Sequence, residues 1–261
     1  MTGIKKFLRS IKHAYLNYRY KLAPWEKALF AGDSNLKQTG KEFLRYFIEL
    51  GGLNPDSKVL DVGCGVGRMA MPLAKYLNDK GSYKGFDIAP RAVNWCKAKI
   101  AKRFPNFDFH LADIYNAQYN PNGSYKVSEY KFPYDDLAFD FIFLTSVFTH
   151  MLPAGVENYF SEISRVLKPK GRCLITFFLI NPESAGLIDL KKSTQEFIYD
   201  CTIYRTVDKD KPEVAVAYAE DYIRGLFSKN GLTIIEPIHY GSWCGRKQFL
   251  SYQDIIVAVK K

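Results

Sequence analysis

Three glycines on alternate positions follow a short apolar run that contains a single acid, Asp61. The glycines are Gly63, Gly65 and Gly67. This pattern predicts a buried strand, a tight turn and a helix whose first N–H groups are free to bind a ligand. Glycine permits positive φ and leaves no Cβ between the backbone and that ligand. The stretch therefore predicts a nucleotide-type pocket, with a plain tight connection as the alternative.

Two positions around the glycines indicate which nucleotide to expect. The dinucleotide pattern G-x-G-x-x-G places its last small residue at position 68, where this chain has Arg68. Asp61, at the buried end of the strand, would repel a phosphate and attract a cation. The sequence therefore favours a ligand with a positive charge and argues against a nicotinamide-dependent oxidoreductase.

The stretch Val59–Gly67 resembles motif I of the class I S-adenosylmethionine-dependent methyltransferases, which reads hydrophobic-hydrophobic-Asp-hydrophobic-Gly-x-Gly-x-Gly. Residues 167–172 also resemble the turn into the fifth strand of this family. The resemblance covers about residues 44–260 and implies S-adenosylmethionine as the cofactor and methyl transfer as the reaction. The cofactor contacts that it implies are Asp61, Gly63, Cys64, Gly65, Gly67, Arg68, Asp87, Ile88, Asp113, Ile114 and Thr145.

Acids also end the second and third predicted strands. Asp87 ends the strand Ser82–Ile88, and a right-handed crossover brings that strand beside the first with both tips at one edge. A carboxylate there can accept both ribose hydroxyl protons, and the resemblance implies this role; a surface acid is the alternative. For Asp113 and Ile114, the resemblance implies contacts with the adenine amino group and the adenine ring.

The fourth predicted strand is Phe139–Leu144. In the resembled family, the segment that follows this strand lies near the transferable methyl group of the cofactor. Residues 145–148 read Thr-Ser-Val-Phe, whereas nucleic-acid amino-methyltransferases carry Asn, Asp or Ser before Pro-Pro-aromatic. The clustered acids of the magnesium-dependent branch are also absent from the sequence. We therefore expect a small-molecule acceptor, with neither nucleic acid nor metal. His150 could accept a proton from a hydroxyl or amine acceptor, or could only pack the cofactor pocket.

Apolar runs and helical stretches alternate from Lys58 onward, which predicts βαβ units. We expect an α/β, Rossmann-like, doubly wound sheet of seven strands, mostly parallel with an antiparallel last strand, plus N-terminal helices. The expected parts are a helical extension or lid over residues 1–50 and a methyltransferase domain over residues 51–261. A loop at 115–138 and an insertion at 181–217 are expected to cap the acceptor site, although the loop could also be a solvated connection.

Two further elements are expected to border the site. The helix predicted from Ser34 to Leu50 would close one side of the cofactor cleft or simply pack on the domain. Residues 239–246 predict an aromatic hairpin, which would either wall the acceptor site, with Trp243 stacking on a planar or sugar-like group, or be a plain hairpin.

The net charge of +10 over 261 residues is concentrated near the N-terminus, since residues 1–25 hold six basic residues and no acid. Apolar residues at helical spacing from Ile4 to Tyr15 predict an amphipathic helix with a basic face. This helix could be a lid, a contact with a membrane or an acidic partner through residues 1–22, or a frayed terminus. Basic residues do not recur with interleaved aromatics, which argues against nucleic acid.

The cysteines and the hydropathy indicate where the protein works. Five widely spaced cysteines without a C-x-x-C pair indicate neither a zinc site nor a disulfide framework. No run approaches about 20 apolar residues, and no secretory signal is recognised. We expect a cytoplasmic protein, with membrane association as an addition through the N-terminal helix.

These observations predict a methyltransferase that acts on an O or N atom, less readily a C atom, of a small-molecule or glycan- or lipid-type acceptor. The alternative is a non-catalytic adaptor that keeps the cofactor fold and contacts a membrane or partner through its basic N-terminal helix. An NAD-type oxidoreductase is a weaker alternative.

Overall fold

The computed structural model describes residues 36–116 and 120–261, so the predicted helix at residues 4–15 and the contact segment 1–22 lie outside the described residues. The helices are α1 (Leu36–Glu49), α2 (Ala70–Leu73), α3 (Pro90–Cys96), α4 (Pro153–Val166), α5 (Pro182–Asp189) and α6 (Glu220–Lys229). The strands are β1 (Lys58–Val62), β2 (Ser82–Asp87), β3 (Phe107–Leu111), β4 (Phe139–Leu144), β5 (Leu167–Phe177), β6 (Leu179–Ile180), β7 (Tyr199–Asp200), β8 (Tyr204–Thr206), β9 (Val216–Ala219), β10 (Leu232–Ile234) and β11 (Asp254–Lys260). Short turns of other helical types cover Lys97–Ala101, Phe148–His150 and Pro212–Val214.

The main sheet has seven strands in the order β10-β11-β5-β4-β1-β2-β3. β11 is antiparallel to both of its neighbours, and the other pairs are parallel, which confirms the predicted sheet. The chain runs outward from β1 to β3 on one side and from β4 to β5 on the other. In such sheets the crevice for a ligand opens at the carboxyl ends of the strands where the order reverses. Here that point lies between β1 and β4.

Helices cover both faces of the sheet, and the alternation of side chains along β1 shows how. Leu60 and Val62 pack in the cluster that contains apolar residues of α4 and α6. Val59 packs on the opposite face with residues of α1, α2 and α3. Because strand side chains alternate, Asp61 shares the face of Val59 and is buried there.

Several helices are shorter than predicted. The sequence pattern predicts a helix over residues 67–77, but only α2 is regular. After it, bonds that span three residues, such as Lys75 N–H to Pro72 O, alternate with bonds that span four, such as Leu77 N–H to Leu73 O. The expected helix over residues 90–103 passes from α3 into a π-helical turn. α6 begins at Glu220 rather than at Tyr218, because Tyr218 pairs within β9.

The insertion at 181–217 is a small structure in its own right. α5 begins with a capping box in which Asn181 accepts from Ser184 N–H. The insertion contributes to a second sheet of four strands in the order β6-β9-β8-β7. This sheet is continuous with the main fold, because Leu179 directly follows β5.

Trp243 does not have the position that was predicted for it. Its side chain is fully buried, with ring centroids 5.2 Å from Phe178 and 5.4 Å from Phe197. The stacking role toward a substrate is therefore wrong, since the indole packs the core of the insertion instead.

Asp254, at the start of β11, joins the insertion to the sheet. Its carboxylate accepts hydrogen bonds from Leu179 N–H, Gly241 N–H and Trp243 Nε1–H, each at 2.7 Å. Arg246 adds an ion pair at 3.1 Å. Burial raises the pKa of Asp254 to about 6, against these donors and the cation. Four donors thus converge on one buried carboxylate.

Asp254→Ala should destabilise the protein by about 3–5 kcal/mol, because it leaves three buried N–H groups without their acceptor and removes one of the two carboxylates that pair with buried Arg246. Urea denaturation measures the change. Asp79→Ala is the control, since Asp79 is exposed and should change the free energy of unfolding by no more than about 0.5 kcal/mol. Equal effects of the two substitutions would contradict the role of Asp254.

Candidate active site

A cavity of about 830 Å³ opens at the carboxyl ends of β1, β2 and β4. This volume lies within the range of about 300–1,000 Å³ that is usual for small-molecule sites. All of the predicted site residues except Gly67 and Asp113 line it. They are Asp61, Gly63, Cys64, Gly65, Arg68, Asp87, Ile88, Ile114, Thr145 and His150.

The three glycines of the turn have positive φ values of +78° at Gly63, +52° at Gly65 and +75° at Gly67. A Cβ at Gly63 would lie 2.5 Å from Val147 Cγ2, and one at Gly67 would lie 2.5 Å from Ile100 Cδ1. These two glycines therefore permit close packing of the protein on itself. A Cβ at Gly65 would meet nothing within 4 Å. Gly65 instead presents bare backbone to the cavity.

Asp87 fixes this turn from the end of β2. Its Oδ2 accepts from Gly65 N–H at 2.7 Å, and its Oδ1 accepts from Ala89 N–H at 2.9 Å. Burial raises the pKa of Asp87, while these backbone donors act in the opposite direction. Each carboxylate oxygen retains a second lone pair, so the group can still accept from a ligand hydroxyl.

Asp61 is 1% exposed, and its Oδ2 accepts from the Tyr83 hydroxyl at 2.6 Å. Its Oδ1 is buried and has no hydrogen-bond partner among the described residues. Burial raises the pKa of Asp61 to about 7; Tyr83 opposes the shift, Asp87 adds to it and Arg68 opposes it. An unpaired carboxylate oxygen in a cavity wall is a site for a donor or a cation.

Arg68 lies close enough to Asp61 to lower the pKa of that acid and also lines the cavity. Burial lowers the pKa of Arg68, whereas Asp61 and Glu42 oppose that shift. Glu42 lines the cavity from α1 together with Thr39 and Phe43. Sequence reasoning placed α1 beside the cleft but did not identify these three residues, because no motif marks them.

Asp113 is not among the residues that line the cavity, and its contact with an adenine amino group stays a prediction. Its side chain is exposed, and Oδ1 accepts from Ser124 N–H at 3.2 Å. This hydrogen bond helps to hold the loop after β3. Ile114 is buried and does line the cavity, followed by Tyr115 and Asn116, which the sequence did not mark.

His150 ends the short turn after β4. Its Nδ1 lies 3.1 Å from the backbone oxygen of Glu213. A carbonyl can only accept, so Nδ1 carries the hydrogen in neutral His150 and Nε2 holds the free lone pair. No sequence pattern marks Glu213 as a partner of His150, since Glu213 lies in the insertion, 63 residues further along the chain.

Residues far apart in sequence complete the wall around His150. Gln195, Glu213 and the apolar Val207 come from the insertion. Ser146, with φ +61°, donates from Oγ to Gln253 Oε1 at 3.0 Å, and both residues line the cavity. These residues carry no local sequence signal, because the fold alone brings them together.

Within residues 36–116 and 120–261, no group of His, Cys, Asp and Glu side chains has an arrangement that could hold a metal ion. In the same part of the chain, no helix has both the length and the apolar character needed to cross a membrane.

A doubly wound sheet with an antiparallel last strand and a glycine turn at the tip of β1 defines the fold of the class I S-adenosylmethionine-dependent methyltransferases. Residues 53–215 match the family described as a methyltransferase domain, and the chain belongs to this family. The magnesium protoporphyrin IX methyltransferase ChlM of Synechocystis PCC 6803, solved with bound SAH, has the same fold. It matches 98% of this chain and 100% of its own, at a TM-score of 0.56 and 16% identity.

Curated relatives are similar over parts of their length. The ubiquinone/menaquinone biosynthesis C-methyltransferase UbiE of Wigglesworthia glossinidia brevipalpis is 30% identical over 125 residues, which are 48% of this chain and 44% of that protein. The tRNA N(3)-cytidine methyltransferase METTL2 of Gallus gallus is 26% identical over 125 residues, 48% and 31% of the two chains. The chain spans about half the length of the curated relatives it matches, or less.

S-adenosylmethionine is the cofactor of this class, and two features of the cavity fit it. The unpaired Oδ1 of Asp61 suits its ammonium group, and the bare backbone at Gly65 lets an extended ligand lie against the turn. Asp87 and Ile114 supply a carboxylate and an apolar surface further along the same cavity.

Gly65→Ala should change stability by only about 1–2 kcal/mol, the strain of an alanine with positive φ. Its Cβ would project into ligand space, so calorimetry should show S-adenosylhomocysteine binding weakened by about tenfold or more. Gly231→Ala is the matched control, because Gly231 has φ +69° and open surroundings but lies outside the cavity lining. Equal binding by both variants would contradict the assignment.

Asp61 should make S-adenosylhomocysteine binding depend on pH. Its pKa of about 7 in the ligand-free protein means that it is protonated at lower pH, and a ligand ammonium favours the ionised form. Affinity should therefore rise with pH up to about 7, by at most about tenfold per unit, and then level off. Asp61→Asn should bind more weakly and lack this rise. A flat wild-type profile below pH 7 would exclude the ion pair.

Proposed function

We propose that the protein transfers a methyl group from S-adenosylmethionine to an O or N atom, less readily a C atom, of a small-molecule acceptor. Family membership supports the reaction type. The observation that carries the proposal is that one cavity contains both the glycine turn with its acids and His150. Cofactor and acceptor could therefore meet there without a large movement of the chain.

The bound cofactor supplies a methyl group that is already activated by its sulfonium sulfur. Asp61 and Arg68 would hold the amino-acid end, Asp87 the ribose and Ile114 the adenine. Thr145 lies at the tip of β4 beside the reacting centre. Positioning of two reactants in this way can contribute about 7–11 kcal/mol to lowering the barrier. His150 would take a proton at Nε2 from an acceptor that arrives protonated.

The parts proposed to cap the acceptor are the loop at 115–138 and the insertion at 181–217. Tyr115 and Val127 of the loop and Gln195 and Glu213 of the insertion line the cavity, which supports this division of roles. Residues 51–261 are proposed as the catalytic domain and residues 1–50 as an extension, α1 of which borders the cavity.

A small molecule is the preferred acceptor on electrostatic grounds, although METTL2 acts on tRNA by its name. Among the described residues that line the cavity, Arg68 is the only arginine and no lysine contributes. Nucleic-acid binding depends on many phosphate contacts from such residues.

A cytoplasmic location and a membrane or acidic-partner contact through residues 1–22 remain predictions from sequence.

Asp87→Ala should weaken S-adenosylhomocysteine binding by about tenfold or more from a micromolar wild-type Kd, about −8 kcal/mol, because it removes the ribose acceptor and frees Gly65. Asp108→Ala is the control, since Asp108 is an exposed acid of β3 outside the cavity lining, and this variant should bind as the wild type does. Calorimetry on the full chain measures both.

Absence of binding by the folded wild type would overturn the proposed function and favour an adaptor. Binding of reduced nicotinamide dinucleotide instead would favour an oxidoreductase. Weakening by Asp108→Ala equal to that by Asp87→Ala would contradict the site geometry.

A further inference from the structure

The charges of the cavity divide unevenly between its two halves. Asp61, Arg68 and Asp87 belong to the glycine-turn side, where the cofactor is proposed to bind, and Glu42 of α1 lies close enough to Arg68 to affect its pKa. On the acceptor side, formed by the segment after β4, the insertion and the residues before β11, the described lining residues include one carboxylate, Glu213, and no lysine or arginine. An acceptor that carries a phosphate or carboxylate group close to its methylated atom would meet no lysine or arginine among these lining residues.

The carboxylate of Glu213 lacks a partner. No hydrogen bond or ion pair joins it to another described residue, and the backbone oxygen of Glu213 accepts from His150. Burial raises the pKa of Glu213, and the nearby His150 opposes that rise. A half-buried carboxylate with no partner among the described residues is available to a ligand cation, which would form a charge-assisted hydrogen bond with it.

The acceptor side also presents a set of apolar side chains, beside the uncharged polar groups of residues such as Ser146, Gln195 and Gln253. Val147, Met151 and Phe178 line it from the main fold, and Val207 and Ala215 line it from the insertion. These residues suit an apolar body, whereas Glu213 and His150 suit a single polar group that is a cation when it enters.

We propose that the acceptor is an apolar primary or secondary amine, whose ammonium group docks on the carboxylate of Glu213 and loses its proton to Nε2 of His150. This inference rests on the proposed function and specifies its acceptor class. The backbone oxygen of Glu213 holds the His150 hydrogen on Nδ1, so the same residue prepares the base and binds the cation.

The reaction begins when the ammonium group of the acceptor gives one proton to Nε2 of His150, which leaves a neutral amine with a lone pair. That pair forms the N–C bond to the methyl group while the C–S bond breaks and its electron pair stays on sulfur. The products are a methylated ammonium, S-adenosylhomocysteine and a protonated His150, which returns its proton to water.

The test uses the full chain saturated with S-adenosylhomocysteine and a panel of matched probes, each an aryl or alkyl amine with its alcohol and its carboxylate. 2-Phenylethylamine, 2-phenylethanol and phenylacetate form one set. Binding is measured by calorimetry and ligand-observed NMR at neutral pH. We expect amines to bind about tenfold or more tightly than their alcohols and carboxylates.

Glu213→Gln should abolish that preference without weakening S-adenosylhomocysteine binding. Glu196→Gln is the matched control, because Glu196 lies in the same insertion, is exposed and does not line the cavity. It should keep the preference. Thermal melting of both variants checks folding, and Glu213→Asp, which keeps the charge, should retain part of the preference.

His150→Gln separates the base from the docking group. It should bind amines within about twofold of the wild type but lower labelled methyl transfer to the best-bound amine by about 10²-fold or more. Equal binding of amines, alcohols and carboxylates, or a preference that survives Glu213→Gln, would overturn the amine proposal. Failure of S-adenosylhomocysteine to bind would instead overturn the proposed function itself.

Discussion

The hydrogen bond from Gly65 N–H to the Asp87 carboxylate is the constraint on which the cavity depends. It joins the turn after β1 to the tip of β2 at 2.7 Å. The turn needs positive φ at three glycines, and Gly63 and Gly67 have no room for a side chain. With the backbone held in this way, Gly65 faces open space and Asp61 stays buried behind it with one unpaired oxygen. The parallel sheet therefore creates a ligand-sized cavity with an unpaired carboxylate oxygen in its wall.

The two halves of the cavity are built by different means. Strand tips that are adjacent in the sheet form the cofactor side, so its geometry follows from register and crossover handedness. The acceptor side comes from segments distant in sequence, and the contact between His150 and the backbone of Glu213 is what joins them. Asp254 holds together the two ends of the insertion. Its carboxylate accepts from Leu179, which precedes the insertion in sequence, and from Trp243 and Arg246, which follow it. A domain built in this way can keep its cofactor side while its acceptor side varies.

The sequence predicted the features that local pattern determines. β1 and β4 begin and end where the apolar runs do, and the glycine turn with Asp61 and Asp87 lies where motif and crossover spacing placed it. The features that sequence did not predict have tertiary causes. Asp113 follows a strand as expected, but its hydrogen bond with Ser124 N–H depends on how the next loop folds back. Trp243 looked like a ligand contact because an aromatic hairpin has no periodicity that distinguishes core from surface. Glu213 and Gln253 could not be found, because only the folded chain brings them to His150.

A crystal structure of the full chain with S-adenosylhomocysteine would test the proposed cofactor site most directly. In it, the ligand ammonium should lie within hydrogen-bond distance of Asp61 and the ribose hydroxyls should bind Asp87. The ligand sulfur should face the space between His150 and Glu213. A ligand whose ribose lies away from Asp87, or whose sulfur points away from His150, would contradict the proposed site.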